Sequence, residues 1–143
     1  MIAIVVNIYL LWGTVQDLKK KKITNYYLWM GVVLGVIVRN IDYGNKPIMY
    51  REWLIAFIPG IFLLILVKIT EEKIGEGDAW LVIILGNFMT FVEISLLLQS
   101  AIILSALFSI IALCGKKASK THQIPFLPFL WISHLFMWGL GYV

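Results

Sequence analysis

Residues 75–114 read GEGDAWLVIILGNFMTFVEISLLLQSAIILSALFSIIALC, an apolar run with no long polar break. Two short signals divide it. Gly86-Asn87 is a turn dipeptide. Thr90 and Glu93 have the spacing of a capping box, in which each side chain accepts from the other's backbone amide. Together they predict a fourth apolar segment beginning at Ala79, a hairpin turn at Gly86-Asn87, and a new helix that starts at Phe91 and ends near Cys114. One long tilted helix is the alternative. Ala79 to Asn87 is only nine residues, about 13 Å at 1.5 Å per residue, whereas a full span takes about 20 apolar residues. Such a segment cannot cross a bilayer alone. Either the bilayer is locally thin, or the chain before it dips into the membrane, where non-helical backbone survives only inside protein or against a wet cavity.

Outward from this stretch the pattern repeats. Apolar segments run from Ile2 to Gln16, Tyr26 to Val38, Trp53 to Ile69 (with Pro59-Gly60 as an expected kink) and Ile124 to Val143. The expected fold is an all-α, polytopic membrane protein of about six transmembrane helices, one domain over residues 1–143, with both termini outside. Composition agrees. Hydrophobic residues make up 61% of the 143 and charged residues 14%, against about 45–50% and about 25% in soluble domains. A soluble globule this small could not hide that much apolar surface. The single cysteine, Cys114, excludes an internal disulfide and any all-Cys zinc site.

The charged minority fixes orientation. Lys19, Lys20, Lys21, Lys22, Lys68, Lys73, Lys116, Lys117 and Lys120 fall on one side of the six-span arrangement, and Arg39, Lys46 and Arg51 on the other. The positive-inside rule makes the first side cytoplasmic. The net charge of +4 is therefore a topology mark, not a nucleic-acid footprint, and the lipid bilayer is the expected surrounding. Met1 to Val5 lacks a basic region and no small-residue cleavage site follows, so a retained first helix is expected.

Two carboxylates stand at the inside edges of apolar helices. Asp17 ends the first run and Asp78 opens the fourth, after Gly75-Glu76-Gly77. Ionisable groups at such a depth are costly, and a functional role is the default reading. Two carboxylates brought close share one proton, the arrangement that lets an aspartic dyad activate water while polarising a carbonyl. Two blander readings stand beside this one: Asp78 as a helix N-cap, and Asp17 as an interfacial charge paired with a lysine. Glycines flanking Glu76 would permit unusual backbone conformations or a close approach. His134, inside the last apolar run, is expected to be hydrogen-bonded or to face a polar groove; His122 lies in a basic loop. Cys114 reads as a small buried side chain. No His/Cys cluster has metal-ligand spacing, and chelation by Asp17, Glu76 and Asp78 is the remaining metal possibility.

Three motifs in order resemble those of the type IV prepilin peptidases. Asp17-Leu18-Lys19-Lys20-Lys21-Lys22-Ile23-Thr24-Asn25 is similar to the first catalytic motif, an Asp followed by basic residues and Ile-Pro-Asn. Gly75-Glu76-Gly77-Asp78 resembles Gly-x-Gly-Asp. Ile124-Pro125-Phe126-Leu127-Pro128-Phe129-Leu130 resembles the signature that opens the last helix. The resemblance spans Asp17 to Leu130 and implies that Asp17 and Asp78 are catalytic aspartates of an endopeptidase of the inner (cytoplasmic) membrane. It implies no cofactor and no metal. The implied partners are prepilin or pseudopilin precursors, with a short basic leader, a Gly before the cut and an apolar helix after it. Gly75, Gly77 and Asn25 would shape the loops, Pro125 and Phe126 the substrate approach, and Glu76 would be a tolerated loop residue or a contact for the basic leader. Thr24, Trp80 and Leu127 depart from the usual Pro, Lys and Gly, and bear on pocket detail. The cysteine-tetrad insertion of the larger, N-methylating members is missing, so the chain resembles the short peptidase-only form. A broader intramembrane aspartyl protease sharing Gly-x-Gly-Asp, and a small transporter or channel subunit with a carboxylate cation site, are the alternatives.

Overall fold

The computed structural model describes residues 2–20, 24–43, 50–70, 75–114 and 125–142. Among them are seven helices: α1 (Ile2–Lys20), α2 (Asn25–Tyr43), α3 (Tyr50–Ala56), α4 (Ile58–Ile69), α5 (Glu76–Leu85), α6 (Phe91–Cys114) and α7 (Leu127–Gly139). Lys21, Lys22 and Lys73, the basic loop around His122, and Ile124 lie outside the described residues.

The expected break before Pro59 separates α3 from α4. Proline has no amide to give back along the helix, so the chain turns at Phe57, whose own amide reaches Leu54 at 3.3 Å. The fourth and fifth segments are separate helices, not one long rod. Thr90 N donates to Glu93 Oε2 at 2.7 Å and Glu93 N donates to Thr90 Oγ1 at 3.4 Å, which is the reciprocal capping box. Some boundaries move. α1 and α2 run further than their apolar cores, so Lys19 and Arg39 belong to helices. The last helix is shorter than its apolar segment, 13 residues from Leu127 to Gly139. Cys114 is exposed, contrary to the buried expectation; it follows a stretch of α6, residues 102–112, in which no side chain is fully buried.

Three stretches are long and apolar enough to cross a membrane: Ile2–Lys19, Arg51–Ile69 and Phe91–Ala112. The expectation of six spans is thus met in part. α5 has ten residues and α7 thirteen, about 15 and 20 Å of helix, and the ends of α2 are polar. The exterior suits lipid. Phe62, Ile65, Ile103, Phe108 and Ile111 are all exposed, an apolar coat that a soluble monomer does not carry.

Inside, α1 packs on α7 and α2, α5 lies against α4 and α2, and α6 contacts α7, α3 and α4. Val6, Leu10, Leu81, Leu85, Ile94, Leu97, Leu127 and Leu130 are fully buried between them. Two tyrosines lock α1 to α2. The Tyr9 and Tyr27 rings stack with centroids 4.4 Å apart. Tyr27 Oη donates to Tyr9 O at 2.7 Å, and Tyr9 Oη to Tyr27 O at 3.4 Å. Each hydroxyl lies over a glycine four residues beyond the other tyrosine: a Cβ on Gly13 would strike Tyr27, and one on Gly31 would strike Tyr9. At Gly60 the backbones of α4 and α5 approach so closely that a Cβ would lie 2.7 Å from Ile83 N.

Candidate active site

Asp17 sits near the C-terminal end of α1, on the face formed by Leu10, Gly13 and Thr14, which turns inward. Only 7% of its surface is exposed. Its carboxylate meets the start of α7: Leu127 N donates to Asp17 Oδ2 at 3.3 Å, and the Phe126 amide donates to it as well. The first amides of any helix lack intrahelical acceptors, and Pro128 at the next position has no amide to offer. Asp17 therefore acts as a cap borrowed from a distant part of the chain. Among the described residues it meets backbone amides; Lys21 and Lys22, candidates for the expected ion pair, lie outside the described residues. Gly13, one turn deeper, holds Leu127 and Tyr27 against α1, so α1, α2 and α7 converge behind the carboxylate.

Asp78 is in the first turn of α5, which begins at Glu76, ahead of the expected Ala79. The N-cap is Gly75, and no side chain makes a capping bond there; the N-cap reading of Asp78 does not hold. Its amide bonds to Gly75 O at 3.1 Å, and its half-buried side chain points to the bundle side of α5, with Leu81, Val82 and Leu85. There it is near enough to Asp17 for that residue's charge to be felt at it. The two residues, 61 positions apart in sequence, stand at the same end of the bundle.

The remaining candidates surround this pair unequally. Gly75 has an ordinary backbone, φ −62° and ψ 118°. Its requirement is spatial, since a Cβ there would lie 2.9 Å from Asp78 Oδ2. The expected unusual backbone conformation is thus replaced by a close approach. Gly77 is half-buried in the first turn of α5. Glu76 is exposed and accepts from Trp80 Nε1 at 3.3 Å through Oε1, which ties Trp80 across that turn. Pro125 and Phe126 are half-buried ahead of α7, and Phe126 contributes through its backbone. Asn25 is the exposed first residue of α2. It lines a groove of about 340 Å³ between α2 and α5, with Trp29, Trp80, Ile83 and Asn87. Trp80 and Ile83 lie about 140–200° around α5 from Asp78, so the groove and the carboxylate occupy different faces.

Among the described residues no three His, Cys, Asp or Glu side chains are placed to hold a metal ion. His134 is fully buried, and neither ring nitrogen has a hydrogen-bond partner, so the expected bond is not made within the protein. The tyrosine clasp behind Asp17 was not anticipated. Its signal is present in the sequence as Tyr-x-x-x-Gly at Tyr9–Gly13 and again at Tyr27–Gly31.

Residues 4–110 match the model of the type IV leader peptidase family. No curated protein and no solved structure matches the chain.

Proposed function

Because the chain belongs to the type IV leader peptidase family, we propose that it is a membrane aspartic endopeptidase that removes the short basic leader from type IV prepilin-like or pseudopilin precursors. In this reading the protein lies in the cytoplasmic membrane as six segments with both termini outside, and cuts at the cytoplasmic boundary. What supports it is the placement of two acidic residues, Asp17 at the end of α1 and Asp78 in the first turn of α5, near enough for the charge of Asp17 to be felt at Asp78.

The chemistry follows from a pair of carboxylates that share one proton. The ionised member takes a proton from water as the oxygen attacks the scissile carbonyl carbon. The protonated member donates to the carbonyl oxygen, giving a tetrahedral diol. The C–N bond then breaks. The leaving nitrogen takes the proton drawn from water, and the diol returns the other, restoring the shared-proton pair. The amides of Phe126 and Leu127 fix the Asp17 carboxylate, and Gly75 leaves room for Asp78. Orientation of this kind, held before substrate arrives, is a main source of catalytic rate.

The test is reconstitution in lipid with a precursor carrying a basic leader, a Gly-Phe junction and an apolar helix, followed by N-terminal sequencing of the product. The expected product begins at the Phe. A cut deep within the apolar helix would identify a broader intramembrane protease, and no cut at all would contradict a leader peptidase.

A further inference from the structure

α1 and α7 run antiparallel away from the Asp17–Leu127 contact, and both carry polar residues into the interior. On α1, Thr14 and Asn7 lie about 4.5 and 15 Å beyond Asp17, and on α7 Ser133 and His134 lie about 9 and 10 Å beyond Leu127. All four are at least nine-tenths buried: Asn7 is 9% exposed, Thr14 7%, and Ser133 and His134 0%. Asn7, Thr14 and Asp17 share one face of α1, and His134 lies on the side of α7 that carries Leu127 to Asp17, while Ser133 lies toward α6, in a groove with Leu96, Ser100 and Met137.

Their polar atoms are not spent on the protein. Among the described residues Asn7 Oδ1, Thr14 Oγ1, Ser133 Oγ and both nitrogens of His134 have no hydrogen-bond partner, although Asn7 Nδ2 donates to Ala3 O at 3.0 Å. Buried groups of this kind are nearly always satisfied in folded proteins, by protein or by ordered water. A neutral imidazole offers one donor and one acceptor, and each hydroxyl offers both, so the set can hold water molecules in either orientation. Leu10, Leu130 and Met137 are the buried apolar neighbours, which restricts water to the polar stripe. A metal is a poor occupant, with one imidazole among hydroxyls and an amide.

We propose that α1 and α7 enclose a file of ordered water that runs from the level of Asn7 to Asp17 and supplies the water consumed at the carboxylate pair. The supply role rests on the peptidase reading; the file itself does not. Each hydrolysis removes one water from beside Asp17, itself only 7% exposed, and an internal store there replaces it without opening the bundle.

His134 is one of two histidines, so ring-15N labelling of the whole protein in bilayers resolves it once His122→Asn removes the other signal. Water-to-imidazole magnetisation transfer at His134 is expected in the protein with Thr14 intact. In Thr14→Val, a near-isosteric change, that transfer should weaken, and kcat should fall about three- to tenfold with KM unchanged, the pattern of a lost contribution to the chemical step. Absence of water contact at His134 overturns the proposal whatever the enzyme does. Water contact combined with an unchanged kcat in Thr14→Val overturns the supply role. The spectroscopic readout needs no activity, so failure of the peptidase reading would leave water at His134 in place and is told apart from failure of the file.

Discussion

At the end of the bundle that carries Asp17 and Asp78, a helix start is held by a carboxylate; at the opposite end, helix ends are held by a guanidinium and a local box. Asp17 accepts from the first amides of α7, 110 residues further along the chain. At the far end Arg39 Nη1 reaches Gly86 O at 3.3 Å and Asn87 O at 3.4 Å, and its guanidinium lies 5.3 Å from the Trp53 ring centroid. Both devices satisfy backbone groups that a helix end leaves over. They differ in what stands beside them. Arg39 meets carbonyls and an aromatic face, partners that leave nothing to react. Asp17 meets the α7 amides, and a second acidic residue, Asp78, stands at the same end of the bundle within reach of its charge. One end ties its charge to carbonyls and an aromatic ring; the other gathers two acidic side chains, the pair proposed above to do the chemistry.

Substitutions can break this contrast, and outside the two carboxylates themselves the largest effect is expected at Gly75. In Gly75→Ala the new methyl would crowd Asp78 Oδ2, 2.9 Å away. Displacement of a reacting group by a fraction of an ångström to an ångström costs on the order of 10- to 100-fold in rate. The cleavage assay should show that loss, while unfolding in mixed micelles stays within about 1 kcal/mol of the parent, since the freedom Ala removes from the unfolded chain offsets its weaker preference for the N-cap position that Gly75 fills. A large stability loss with normal specific activity would reverse the assignment of the two ends. Arg39→Met should do the opposite. Loss of charged hydrogen bonds to two carbonyls costs about 1.5–3 kcal/mol, read as a shifted unfolding midpoint, with kcat unchanged. Smallest is Thr90→Ala, which removes one half of the capping box and should cost about 1 kcal/mol, again without an effect on cleavage.

The same contrast explains what could be read from the sequence. Thr90-x-x-Glu93 is a local device, three residues long, and it forms as written. Pro59 breaks its helix for a reason carried by one ring. The carboxylate positions were legible because charged residues are rare in this chain and their places at helix edges stand out. What Asp17 binds was not legible, because the start of α7 is 110 residues away and no local pattern records the pairing. Gly75 was noticed for the right residue and a different reason: its value is the missing Cβ beside Asp78, not its backbone angles. About six spans are expected from the apolar runs, the fourth too short to cross alone, and α5 and α7 are both shorter than a bilayer is thick. Hydropathy reports burial in something apolar, and a short helix packed among neighbours satisfies it as well as a spanning one. Cys114 was misjudged by the same route, since an apolar helix can end beyond its own packing.

The central claim is that Asp17 and Asp78 act as one unit. Its most direct test is cleavage by Asp17→Asn, Asp78→Asn and the double variant in bilayers, with folding checked in parallel. Asparagine keeps an acceptor for the α7 amides and removes the ionisable group, so the fold should survive. Groups that act together lose their function together: each single variant should fall by about a thousandfold or more, and the double variant should be no worse than either. A single variant that keeps substantial activity, or losses that multiply in the double variant, would contradict the account.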